Sequence, residues 1–201
     1  INGLDYTLTT KDVQSSNCVM PLQIFSTPMT EGVAFYGEFL WYSSSNLITK
    51  IDLLNNVINS FSIPYSNGGL CFDGINLWKV AEQNAQLYRL DINGLILNTF
   101  LLPSSGNLEP NGWGIAWYGN YIWHSEYSPN CINSDSTRFY KINPLNGQVI
   151  QTFTLPYQII GIEFVNNNLH GVRLEVGTQV SIKYIIDINT ESYIDSVEWC
   201  I

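Results

Sequence analysis

Basic residues are scarce in this 201-residue chain: 8 Lys and Arg stand against 17 Asp and Glu, for a net charge of −9. Such a surface repels phosphate backbones and suits an anionic membrane surface poorly, which excludes general nucleic-acid binding. The acidic residues are scattered rather than clustered, the pattern of solubility charge. No apolar run approaches the roughly 18 residues of a helical membrane span, so membrane insertion is not expected. No Gly-rich phosphate loop, GxSxG elbow, HExxH or Asn-x-Ser/Thr sequon occurs, and no CxxC pair suggests zinc or redox chemistry. No metal or other cofactor is expected. Calcium is the one ion the charge balance would suit, and Asn133-Ser134-Asp135 is the one stretch with oxygen ligands at alternating positions, far from an EF-hand loop.

The four cysteines sit in a Lys-poor, Asn/Ser/Tyr-rich chain, a composition that points to a secreted, extracellular or periplasmic protein. Cys18 and Cys200 lie near opposite ends, and a disulfide between them would staple the chain shut. Cys71 falls in an apolar run and reads as a small buried residue. Cys131 lies in a polar loop, and four free thiols remain the alternative. The chain opens at Ile1 without Met or a signal-like segment, which reads as a processed or trimmed start.

What the sequence has is a repeat. "GVAFYGEFLWYSS" from Gly32, "GLCFDGINLWKVA" from Gly69, "GIAWYGNYIWHSE" from Gly114 and "GIEFVNNNLHGVR" from Gly161 align. Trp41, Trp78 and Trp123 share one position, held by His170 in the fourth copy. A second block follows each: "LITKIDLLNNVINSFSIP", "LYRLDINGLILNTFLLP", "FYKINPLNGQVIQTFTLP" and the weaker "KYIIDINTESYIDSV". β-Branched and aromatic residues with Gly/Asn turns favour strands, and no helical periodicity competes. Four short strands in about 40–45 residues are the signature of a β-propeller blade.

The expected fold is therefore all-β: a small β-propeller of four four-stranded blades, with five as the alternative. Residues 1–201 form one domain, with units at about 32–68, 69–111, 112–158 and 159–201. Residues 1–31 would supply a strand that closes the ring or is exchanged with a neighbour. A Cys18–Cys200 bridge would sit at that seam.

These units resemble secreted and periplasmic propellers of the streptogramin-lyase and glutamine-cyclotransferase type. The Gly-x-x-x-x-Gly-x-x-Leu-Trp hairpin and the Asp-x-x-x-Gly turn carry the resemblance over most of 32–190. "TEGVAFYGEFLWYSSS" at 30–45 and "GWGIAW" at 112–117 are similar to Thr-Glu-Gly-Leu and Gly-Trp-Gly-Leu segments of the cyclotransferases. In that family an acidic residue follows the Tyr after the first hairpin and serves in catalysis. Here Ser43 follows Tyr42, so the resemblance carries over no catalytic carboxylate.

Candidate ligand-binding residues follow from the expected loop face, where second-to-third-strand loops and blade-joining loops converge. His124 and Glu126 end the third unit's second strand and, two apart, point the same way. Such a pair either moves a proton or props the long loop beyond it. Matching positions hold Tyr42/Ser44, Lys79/Ala81 and Gly171/Arg173. Trp113, Tyr127 and Tyr65 would make an aromatic shelf for a sugar or peptide. Glu163 takes the place of Ala34, Cys71 and Ala116 on strands expected to line the channel. There it binds a cation or amine, or pairs with Arg173 across the sheet. The repeated tryptophans read as packing between blades.

The leading functional expectation is a secreted, non-enzymatic binding or surface-structural module taking a protein, peptide or carbohydrate ligand. One alternative is a cyclotransferase-like or lyase-like enzyme using His124, Glu126 or Glu163. Another is a subunit that self-assembles by strand addition.

Overall fold

The computed structural model describes residues 31–64, 68–103, 111–128, 136–174 and 180–200, with backbone alone at 82, 111–113, 127–128, 174, 180–181 and 197–200. The expected closing strand, Cys18, Tyr65, Cys131, Asn133-Ser134-Asp135 and the side chains of Trp113, Tyr127 and Cys200 lie outside this description.

Four antiparallel four-stranded sheets follow one another along the chain as the blades of a β-propeller. Blade 1 is β1 (Gly32–Tyr36), β2 (Phe39–Ser44), β3 (Leu47–Asp52) and β4 (Val57–Ser62). Blade 2 is β5 (Leu70–Phe72), β6 (Leu77–Ala81), β7 (Gln86–Leu90) and β8 (Ile96–Leu101). Blade 3 is β9 (Asn111–Tyr118), β10 (Tyr121–Ser128), β11 (Ser136–Ile142) and β12 (Val149–Leu155). Blade 4 is β13 (Gly161–Val165), β14 (Asn168–Leu174), β15 (Val180–Asp187) and β16 (Ser192–Cys200). Among the described residues one 3-10 turn, Glu82–Asn84, is the only helix. Inner strand β1 packs beside β5, β5 beside β9, and β9 beside β13.

The repeat exists because each blade buries one sheet face against the next. Trp41 pairs across strands with Ala34 and Lys50, Trp78 with Cys71 and Arg89, and Trp123 with Ala116 and Lys141. The small residue leaves room for the indole, and the cation lies over its ring, 4.9, 5.6 and 5.6 Å from the centroid respectively. Each indole then meets an aromatic of the following inner strand: Trp41 with Phe72, Trp78 with Trp117, Trp123 with Phe164. The tryptophans are thus packing between blades. Three cores result, one per junction, and Cys71 is a buried free thiol in the second.

Glycine at the head of β1 has a steric reason. A Cβ on Gly32 would come 2.6 Å from the Leu70 amide nitrogen, so only glycine lets the inner strands of blades 1 and 2 approach. The third turns are built on an acid or amide. Asp52 accepts from the amides of Leu54 and Asn56, Asp91 from Asn93 and Leu95, Asn143 from Leu145, and Asp187 from Asn189. The Asn56 side chain donates to Asp52 as well, and this bond first, with the turn amides, holds the Asp52 carboxyl below the usual range; the turn bonds do the same for Asp91 and Asp187.

One expectation needs correction. The positions of Ala34, Cys71 and Ala116 do not line a channel. Side chains of a strand leave through the two faces of its sheet, and in a propeller those faces meet neighbouring blades. Only strand edges face the axis. Ala34, Cys71 and Ala116 are accordingly buried between blades.

Candidate functional site

The loop end of each blade is where β2-type strands finish and inner strands begin. Lys79 and His124 occupy the same repeat position there, and both are fully buried. Each bonds a glycine carbonyl in or just before its own blade's inner strand. Lys79 Nζ donates to the Gly68 carbonyl, and to Ser43 Oγ of blade 1 at 3.0 Å. Ser43 Oγ passes a bond on to the Gly32 carbonyl at 3.4 Å. The ammonium therefore ties blade 2 to blade 1. Glu31 lies within electrostatic reach of it. Burial raises the Glu31 carboxyl pKa, while the Lys79 charge and a bond from the Ser45 backbone act against that. Its Oε2 is shielded from solvent with no partner among the described residues.

His124 Nδ1 lies 3.0 Å from the Gly114 carbonyl. A carbonyl can only accept, so Nδ1 carries the hydrogen and the neutral ring keeps its lone pair on Nε2. Desolvation lowers the His124 pKa to about 4, against opposing effects of the Gly114 bond and the Glu126 charge. The ring stacks on Tyr140, with centroids 6.0 Å apart and planes 17° from parallel. Tyr140 donates its hydroxyl to Glu126 Oε2 at 2.6 Å. Burial, then the Glu126 bond and charge, push the Tyr140 pKa up. Glu126 is buried and faces Arg138 across the strands. His124 and Glu126 thus share one face and are linked through Tyr140. At neutral pH the imidazole is uncharged, which leaves it little capacity to store a proton.

Thr137 closes the same end of blade 3. Its hydroxyl donates to the Tyr157 carbonyl and accepts from the Ile159 amide, both at 2.8 Å, fixing the passage to blade 4. In blade 2, Tyr88, Gln86 and Asn84 bond one another. The backbone also marks Trp113. β10 pairs Ser125 with Gly114 and Glu126 with Gly112, so Trp113 is the extra residue of a β-bulge at the loop end. Such bulges re-aim the chain at sheet ends. Tyr127 pairs with Asn111 one step further out.

Glu163 and Arg173 are not brought together across the sheet as expected. Glu163 pairs with His170, and Arg173 with Ile182 three residues further along β14. An odd offset puts the two on opposite faces. Glu163 is solvent-accessible yet crowded by protein, and the resulting desolvation raises its carboxyl pKa. Among the described residues no group of three or more His, Cys, Asp and Glu is placed to hold a metal. Sequence reasoning missed Glu31 and Ser43. The available signal was Lys79, a cation at the repeat position of His124 in an otherwise apolar strand.

No family model and no curated protein sequence matches the chain. Solved structures do. The chain is similar to the glutaminyl cyclase of Myxococcus xanthus at 13% identity and TM-score 0.65, covering 85% of this chain and 70% of that one. It is similar to a streptogramin B lyase at 17% identity and TM-score 0.56, covering 85% of this chain but only 54% of the lyase. A Bacteroides caccae protein of unknown function matches at 12% identity and TM-score 0.60, over 87% of this chain and 65% of that one. At such identities the likeness establishes the fold, in line with the resemblance in the first hairpins and third turns.

Proposed function

We propose that this chain is a non-enzymatic binding or surface-structural propeller that meets a peptide, protein or carbohydrate with the loop end of its blades. The observation that supports this reading most is how the loop-end ionisable groups are engaged. Lys79 bonds Ser43 and Gly68, His124 bonds Gly114 and stacks on Tyr140, and Glu126 receives Tyr140. These groups hold blades and strands together. Recognition then falls to the rim beyond them: Trp113 at its bulge, Tyr127, and Arg173. Their strands come from a rigid framework, the setting in which loops carry binding. An extracellular or periplasmic location, with Cys18 and Cys200 bridged, belongs to the same proposal.

A second reading is an enzyme, and one observation favours it: Glu31, with a raised pKa and a shielded oxygen, within electrostatic reach of the Lys79 ammonium. The likeness to a glutaminyl cyclase adds to it at the level of fold. The two readings separate in one experiment. Peptide and glycan arrays are probed with the chain and with Trp113→Ala, and ammonia release from a glutaminyl peptide is followed in parallel. Binding that Trp113→Ala removes supports the module. Ammonia release that Glu31→Gln abolishes, with no array binding, would overturn it in favour of the enzyme. A chain that polymerises in both forms would instead point to strand-addition assembly.

A further inference from the structure

Every described junction between blades repeats three contacts, and blade 1 offers the receiving half of each on its other face. The residue after the repeat glycine is buried against the preceding blade at Leu70, Ile115 and Ile162, which are 2, 4 and 8% exposed, but Val33 is 40% exposed. The aromatic two positions later meets the preceding tryptophan in Phe72, Trp117 and Phe164, but Phe35 is 58% exposed. The fourth strand of one blade leans on the third turn of the next. Phe61 lies against Gly94, Phe100 comes within 2.7 Å of a Cβ built on Gly147, and Gln151 bonds the Ile188 carbonyl and Glu191. In the third turn of blade 1, Leu54 is 82% exposed. Blade 4 does not supply the missing half, since it carries His170 and Glu163 where the other blades carry tryptophan and a small residue.

The sequence before blade 1 names an occupant. Fourth strands close on Phe61-Ser62-Ile63-Pro64, Phe100-Leu101-Leu102-Pro103 and Phe153-Thr154-Leu155-Pro156. Phe25-Ser26-Thr27-Pro28 repeats that ending, and the chain then runs through Thr30 and Glu31 directly into Gly32 of β1. Pro64 and Pro156 precede Gly69 and Gly161 by five residues, against four from Pro28 to Gly32. Blade 4 already has four strands of its own. We propose that residues 20–28 form the fourth strand of an additional, partial blade, docked on the back face of blade 1 with Phe25 over the turn at Leu54. The docking surface is Val33, Phe35 and Leu54, and its partner is this chain's own N-terminal segment. Asn55 takes the place of Gly94 and carries a Cβ, so the ring lies further out, towards Leu54, than Phe61 does over Gly94.

Hydroxyl-radical footprinting of the whole chain at low concentration tests this, with Leu145 and Ile75 as exposed references. Phe35 and Leu54 are expected to label several-fold more slowly in the wild-type chain than in Phe25→Ala, while the references do not change. Equal labelling in both chains overturns the proposal. So does protection that arises only as concentration and molecular mass rise together, because the occupant is then a second copy. A chain carrying Phe25→Cys and Leu54→Cys provides an independent readout. An intrachain disulfide between these positions in a peptide map is expected, and an interchain one or none refutes the placement.

Discussion

Replacing each repeated tryptophan by phenylalanine should give three different answers from one substitution. Trp41, Trp78 and Trp123 are all buried at matched positions and all lose the same fused ring. That shared loss of packing costs roughly 1–3 kcal/mol. The indole N–H separates them. Trp78 Nε1 donates to the Asp73 carboxylate at 2.8 Å, whereas Trp41 and Trp123 Nε1 are buried with no partner among the described residues. A hydrogen bond to a charged acceptor contributes about 1.5–3 kcal/mol net, and removing a buried orphan donor recovers roughly 1–3 kcal/mol. Asp73 keeps the amides of Ile75 and Asn76 in every case, which holds the difference to the lower part of that span. Trp78→Phe should therefore lose about 3 kcal/mol more than either of the other two substitutions. For a chain of this size the gap is about 6–12 °C in Tm. Urea unfolding of the three variants, compared at equal m-values, measures it. Equal losses, or a Trp41→Phe loss exceeding that of Trp78→Phe, would refute the assignment of the indole bonds.

Two glycines with positive φ should differ sharply. Gly119→Ala meets open space and costs about 1 kcal/mol from its left-handed backbone. Gly147→Ala also drives a Cβ against Phe100, adding roughly 1–3 kcal/mol, read as a lower chemical-denaturation midpoint. The turn aspartates set part of the acid limb. Their pKa values are depressed in the folded state, so their stabilisation is complete above the unfolded value of 3.8 and fades as pH falls through the folded values. Asp91→Asn, which copies the Asn143 of blade 3, should flatten stability against pH below about pH 4. His124 acts higher. Its folded pKa of about 4 lies under the ordinary 6.5, so its contribution is full above pH 6.5 and is lost as pH falls towards 4. The whole shift corresponds to roughly 3 kcal/mol, and His124→Gln should remove that slope.

The blades were legible because their cause is periodic. Each must seat an indole against the next inner strand, and that demand recurs in the sequence as a glycine, a small residue and a tryptophan at fixed spacing. The direction in which a side chain leaves its blade was less legible. Ala34, Cys71 and Ala116 read as channel residues until the register paired them with tryptophans, which fixes their face. Arg173 and Glu163 read as near neighbours by strand adjacency, yet an odd register offset separates them. Lys79 illustrates the deeper limit. Its partners, Ser43 and Gly68, lie in another blade and in a blade-joining loop, and no local pattern announces a contact across a junction. The His124–Glu126 pair was visible in sequence, but Tyr140, which joins them, comes from the neighbouring strand.

The central claim is that the ionisable groups at the loop end are framework rather than proton-transfer machinery. Nitrogen-detected NMR of the His124 imidazole tests it most directly. The account predicts a neutral ring protonated on Nδ1 from pH 8 downwards, titrating only near 4. A ring that titrates near its ordinary 6.5, or that carries its hydrogen on Nε2 at neutral pH, would contradict it.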